Sequence, residues 1–127
     1  MFDAVHHIAL IASDYEKSKQ FYTQILGFEV IRETYRPEKQ SYKLDLAVNA
    51  TLQLELFSFP EPAPRPSYPE ACGLRHLAFA VEDVALAVAH LKTYGVECEP
   101  IRFDELTGKT FTFFNDPDDL PLELYQK

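Results

Sequence analysis

The stretch Gly73-Leu74-Arg75-His76-Leu77-Ala78-Phe79-Ala80-Val81-Glu82-Asp83 repeats an earlier one, Val5-His6-His7-Ile8-Ala9-Leu10-Ile11-Ala12-Ser13-Asp14. Laid over each other, His76 falls on His7, Ala78 on Ala9 and Asp83 on Asp14, an offset of 69 residues. Each copy is an apolar run with a histidine near its start and an aspartate where a helix would begin. Self-similarity at a fixed spacing marks an internal duplication, and it takes precedence over every other feature in deciding the fold.

Working outward, the ends of the two copies repeat as well. Leu52-Gln53-Leu54-Glu55-Leu56-Phe57 lies over Leu120-Pro121-Leu122-Glu123-Leu124-Tyr125 at an offset of 68, and Gly27 and Gly95 stand at that same offset. One residue is therefore missing from the second helix, and the register holds from the histidines through the glycines to Glu55 and Glu123.

Each copy reads as a strand, a helix and three further strands. In the first, residues 4–12 alternate Ile8 and Leu10 against His7, Ala9 and Ile11, as a buried strand does. Asp14 caps a helix expected to run to about Leu26, with Phe21, Tyr22, Ile25 and Leu26 on its buried stripe and Gly27 closing it. Strands are expected over about 28–35, 42–48 and 51–57, with a tight turn at Asn49-Ala50 and a looser one over 37–40. In the second copy the elements are a strand over 75–81, a helix from the Asp83 cap to Tyr94, and strands over about 97–103, 109–114 and 120–125. Val84, Ala87, Val88 and Leu91 form that helix's apolar stripe. Between the copies, Pro60, Pro62, Pro64, Pro66 and Pro69 exclude both helix and sheet and mark a stiff connector. The expected fold is α+β, a single domain of paired βαβββ modules, 1–59 and 75–127, joined by a proline-rich linker over 60–74. One such half cannot cover its own sheet, so the two are expected to share a surface.

Composition bounds the function classes. A net charge of −8 and a pI near 4.9 argue against nucleic acid or an anionic membrane surface as partner. No apolar run is long enough to span a bilayer, and the N-terminal residues lack a signal peptide's basic start and cleavage site, so a cytoplasmic protein is expected. Cys72 and Cys98, without CxxC spacing, read as reduced packing residues.

The chemistry sits in the duplicated positions. If the leucines of Leu-x-Leu-Glu-Leu face the helices, Glu55 and Glu123 face the other side, and the same alternation sends His7 and His76 to join them. A carboxylate in mid-sheet is expensive to desolvate unless something neutralises it. Two carboxylates and two imidazoles together make the ligand set of a divalent transition metal, with two positions left for water or substrate. A lone histidine on a strand is more often structural, and a lone glutamate among leucines more often outward-facing. The matched spacing of all four is what favours a metal. His6 falls with Ile8 and has no twin in the repeat, and His90 reads as a solvated helix residue.

These features resemble the vicinal oxygen chelate superfamily, which includes glyoxalase I, bleomycin-resistance proteins, methylmalonyl-CoA epimerase, fosfomycin-resistance transferases and extradiol dioxygenases. The close Asn115-Asp116-Pro117-Asp118-Asp119-Leu120-Pro121-Leu122-Glu123-Leu124 resembles the same family, although its usual glycine is Asp119 here. Val5-His6-His7-Ile8-Ala9 and Glu70-Ala71-Cys72-Gly73-Leu74-Arg75-His76-Leu77-Ala78-Phe79 are similar to a glyoxalase I-like bacterial subgroup. The resemblance covers essentially the whole chain. It implies an open eight-stranded cup, a homodimer, and one divalent ion (Ni, Zn, Co, Mn or Fe) held by His7, Glu55, His76 and Glu123. It also implies a lyase or isomerase moving a proton between adjacent carbons of a small oxygenated substrate, such as a thiol conjugate, through an enediolate. Glu123 is then the favoured base, with Glu55 second. The alternatives are a small-molecule binding protein of the bleomycin-resistance type, with or without metal, and an Fe(II) dioxygenase with one glutamate spare. Arg36, Arg75, Arg102 and Lys109 are candidates for holding an anionic substrate tail.

Overall fold

The computed structural model describes residues 1–127, which divide into two compact units, Met1–Pro64 and Arg65–Lys127. Each carries one four-stranded mixed sheet and one main helix, the α+β arrangement of paired βαβββ modules.

The first unit contains β1 (His7–Ala12), α1 (Tyr15–Gln20), β2 (Glu29–Arg36), β3 (Ser41–Ala47) and β4 (Gln53–Ser58), in sheet order β1-β4-β3-β2. The first and last strands run parallel and the other pairings are antiparallel. Asp14 caps α1 by accepting from the Lys17 N–H at 3.2 Å. The helix does not continue in α form to Leu26. Residues Phe21–Ile25 widen into a π turn in which the Leu26 N–H reaches the Phe21 carbonyl at 3.0 Å. The Thr23 hydroxyl bonds back to the Lys19 carbonyl at 2.7 Å, a local competition for a helix acceptor. Phe21 and Tyr22 are both buried there. The core of the unit is Leu10, Ala12, Leu44, Leu46, Leu54 and Leu56 under Tyr15, Phe21 and Tyr22, the alternate residues of three neighbouring strands meeting one helix stripe. Asn49 shapes the β3–β4 turn by accepting from the Thr51 and Leu52 N–H groups at 2.8 and 2.9 Å.

The second unit contains β5 (Leu77–Val81), α2 (Val84–Thr93), β6 (Arg102–Asp104), β7 (Lys109–Asn115) and β8 (Pro121–Gln126), in order β5-β8-β7-β6. Asp83 caps α2 through the Leu86 N–H at 3.1 Å. Gly95, at φ +74°, ends it in the left-handed region where a Cβ is penalised. Val84 and Leu91 are buried against the sheet, and Leu122, Leu124, Phe114 and Leu120 complete the core. The strand expected over 97–103 is far shorter than its sequence suggested. Residues 96–101 stay irregular, since Pro100 has no N–H to give a ladder, although the Glu99 N–H still reaches the Phe113 carbonyl at 2.9 Å. In residues 65–74 Arg65 donates to the Leu74 carbonyl at 2.6 Å, and the Ser67 hydroxyl donates to the Asp119 carbonyl at 2.9 Å. No helix is long and apolar enough to cross a membrane.

Candidate metal-binding and active site

Strand register places a histidine and a glutamate on one face of each sheet. In the first unit Ala9 is the partner of Glu55 across the parallel β1–β4 pair, so His7, two residues before Ala9, shares the Glu55 face. That face is opposite to Leu54 and Leu56, which lie in the core. His7 Nε2 stands 3.5 Å from Glu55 Oε2. In the second unit Ala78 is the partner of Glu123, and His76 Nε2 stands 2.9 Å from Glu123 Oε2. Glu55 and Glu123 are each 9% exposed. Mid-sheet carboxylates this poorly hydrated need a cation or hydrogen-bond donors.

The surroundings of the two glutamates differ. Beside Glu55, β3 presents Lys43 and Asp45 on the same face. Lys43 Nζ lies 3.8 Å from Glu55 and 3.6 Å from Asp45, and Arg32 approaches Asp45 at 3.4 Å. Beside Glu123 the neighbouring strand presents Phe113 and Phe111 instead. The His76 ring meets Phe113 edge to face at 5.1 Å between centroids, and Arg102 lies over Phe111 and Phe113 at 5.0 and 5.6 Å. The histidine–glutamate face of the first sheet is thus charged and that of the second aromatic. Lys43, Asp45 and Phe113 went unremarked in the sequence. Their signal was the alternation of Ser41, Lys43 and Asp45 against Tyr42, Leu44 and Leu46, and the place of Phe113 opposite Glu123.

His6 Nδ1 lies 2.9 Å from His7 Nδ1. When His7 donates there, its Nε2 carries a lone pair toward Glu55, the tautomer a ligand needs. His90 lies on the exposed side of α2 with its ring against Tyr94. Cys72 is exposed and Cys98 half-buried, both free, and burial pushes the Cys98 thiol above its usual range.

No group of three or more His, Cys, Asp or Glu with metal-site geometry occurs. Each unit instead supplies two donors, one imidazole nitrogen and one carboxylate oxygen, already on one sheet face. Imidazole nitrogen and carboxylate oxygen are both donor types that hold divalent ions, and in this respect each pair fits one. Among the cations, Arg75 pairs with Glu70 at 3.9 Å, Arg102 with Glu99 at 3.2 Å, and Lys109 donates to the Lys127 carbonyl at 2.6 Å.

The chain is 61% identical to the protein YwkD of Bacillus subtilis (strain 168), with 100% of this chain and 99% of that one covered. It superposes on the crystal structure of the glyoxalase family protein from Enterococcus faecalis with a TM-score of 0.90, at 53% identity and 98% coverage of both chains. Glyoxalase I of Leishmania major, described as trypanothione-dependent, shows a TM-score of 0.72 at 28% identity, over 98% of this chain and 86% of that one. The sequence model of the Glyoxalase/Bleomycin resistance protein/Dioxygenase superfamily matches residues 4–124, so the chain, with its two βαβββ units and a histidine–glutamate pair on each sheet, belongs to that superfamily.

Proposed function

We propose that the protein is a metal-dependent, glyoxalase I-like isomerase or lyase of a small oxygenated compound, working as a homodimer. The observation that carries this reading is the paired placement of His7 with Glu55 and of His76 with Glu123 on one face of each sheet. The likeness to a glyoxalase I at 28% identity supports the same reading.

In this proposal His7, Glu55, His76 and Glu123 hold one divalent ion. When bound, that ion polarises substrate oxygens and lowers the cost of building negative charge on them. The rest of the chemistry belongs to the side chains. Glu123 takes a proton from the carbon bearing the substrate hydroxyl and returns it to the adjacent carbonyl carbon. One C–H bond breaks and another forms, and the two oxygens exchange roles as hydroxyl and carbonyl, so no oxidant or reductant is consumed. Phe113 and Phe111 supply an apolar wall that keeps water from the Glu123 carboxylate and strengthens its interactions. Glu55 is less suited as the base, because Lys43 approaches it as well as His7.

The test is metal analysis of the purified protein together with proton exchange in deuterated water, using methylglyoxal–thiol hemithioacetals as substrates. One equivalent of metal per chain and exchange at the substrate carbon are expected. A protein that retains metal but shows no exchange is a binding protein of the bleomycin-resistance type. A protein that takes up no metal refutes the proposal.

A further inference from the structure

We propose that Arg36 anchors the anionic tail of the substrate, a carboxylate or phosphate-type oxyanion, at the far end of the face that carries His7 and Glu55. The inference rests on the function proposed above and names the substrate class for that site.

Register puts Arg36 on the right face. Its partner across β2–β3 is Ser41, which alternates with Lys43 and Asp45, and Asp45 is the partner of Glu55. The Arg36 guanidinium lies 4.9 Å from the Phe57 ring centroid and 5.8 Å from that of Phe59, and those rings stack at 6.0 Å and 8°. Phe57 follows Glu55 by two residues on β4, about 7 Å along the strand. A substrate with its reacting oxygens at Glu55 would therefore carry its anion a short chain away.

The guanidinium is also incompletely satisfied. Arg36 Nη2 donates to the Ser41 hydroxyl at 2.8 Å, whereas the buried Nε has no acceptor. No carboxylate lies within ion-pair distance, in a chain whose 20 acidic residues outnumber its 12 basic ones. The other three cations singled out from the sequence each have a carboxylate or main-chain acceptor. A half-buried planar cation held on aromatic rings, with no carboxylate partner, is suited to an oxyanion.

The experiment is calorimetric binding of three probes to metal-free and zinc-loaded protein, with metal content measured on the same samples. The probes are 2-oxoglutarate, its phosphonate counterpart 4-phosphono-2-oxobutanoate, and 2-oxohexanoate, which has a neutral tail. An anionic tail should bind at least about 10-fold tighter than the neutral one, as expected for a charge-assisted hydrogen bond. The tighter of the two anionic probes tells carboxylate from phosphate. Arg36→Gln should bring the ratio to near unity, and Arg36→Lys should retain part of it. A merely structural arginine would weaken all three probes alike and leave the ratio unchanged, which would overturn the inference, as would the absence of tail preference in the wild type. If Arg36→Gln fails to fold, the ratio in Arg36→Lys decides, and an unchanged ratio there counts against the proposal. Tail preference without metal uptake would sink the metal reading alone, and metal uptake without tail preference would sink this one alone.

Discussion

His76 Nε2 and Glu123 Oε2 stand 2.9 Å apart, and no lysine or arginine comes within ion-pair distance of that carboxylate. Its counterpart Glu55 is flanked by both His7 and Lys43. The duplication gave the chain two histidine–glutamate pairs, and the neighbouring strands have since made them unequal. Lys43 offsets charge at one glutamate, while Phe113 lies opposite the other.

That inequality predicts which glutamate matters more for turnover. Glu123→Gln should preserve the fold and much of the metal affinity but lower proton exchange by about 10²–10⁴-fold, the usual cost of losing a positioned base. Glu55→Gln should cost less. Exchange of the substrate C–H in deuterated water at saturating metal measures both, and equal losses would show that the two carboxylates share the transfer.

Metal removal should act on stability as well as on activity. A ligand that binds only the folded state raises stability by about 2.7 kcal/mol at a hundred times its dissociation constant. Chelation should therefore lower the Tm of the wild type, and His7→Ala or His76→Ala should largely abolish the difference between loaded and stripped protein. Calorimetric scans with and without chelator provide the check.

The Tyr15–Glu33–Lys19 cluster predicts a pH signature unrelated to the site. Tyr15 Oη donates to Glu33 Oε2 at 2.5 Å, and Lys19 Nζ donates to the same oxygen at 2.8 Å. The Lys19 and Tyr15 hydrogen bonds hold the Glu33 carboxyl below its ordinary range. Burial first, then Glu33, pushes the Tyr15 phenol up, and the Glu33 hydrogen bond raises Lys19. A depressed carboxyl gives stability that is present above about pH 4.5 and lost as pH falls through its folded value. The raised phenol and ammonium give stability that is present below about pH 10 and lost as pH rises. In urea titrations the difference between wild type and Glu33→Gln should thus be largest between those limits and shrink on both sides. A flat difference would contradict the assignment.

Asp116 predicts a structural dependence of Glu123. Its Oδ1 accepts from the Asp118 N–H at 2.8 Å and the Leu120 N–H at 2.9 Å, and the residue is 8% exposed. Asp116→Ala would strand two donors at the entrance to β8 and should cost about 1–3 kcal/mol. Hydrogen exchange should locate the loosening in residues 115–121, with Leu44 and Leu56 in the first unit unaffected.

The homodimer expected for the working form is checked by light scattering, which should give twice the 14.6 kDa chain mass. A monomer at micromolar concentration would remove that part of the proposal.

Much of this was legible in the sequence because duplication makes its own controls. Matched caps at Asp14 and Asp83, glycines at 27 and 95, and Leu-x-Leu-Glu-Leu strands fixed both the element order and the faces of His7, His76, Glu55 and Glu123. Less legible were features that depend on local competition. The π turn after Gln20 coincides with the Thr23 hydroxyl bonding back to a helix acceptor, and the irregular stretch over 96–101 contains Pro100, which has no N–H to give. Lys43 and Arg36 acquired meaning only through register, since a cation on an edge or neighbouring strand reads as ordinary solvated surface until its cross-strand partners are known.

The parallel pairing of β1 with β4, and of β5 with β8, has a consequence for synthesis. As the nascent chain emerges, β1 has no neighbour until residues 53–58 follow it, so loop closure over most of the unit precedes the meeting of His7 with Glu55. The second unit waits longer still, because β8 is an inner strand and reaches to Gln126. A ribosome stalled short of that strand would hold a chain whose first histidine–glutamate pair can close while its second cannot. The charged sheet face of the first unit is thus complete before the aromatic face of the second has its central strand.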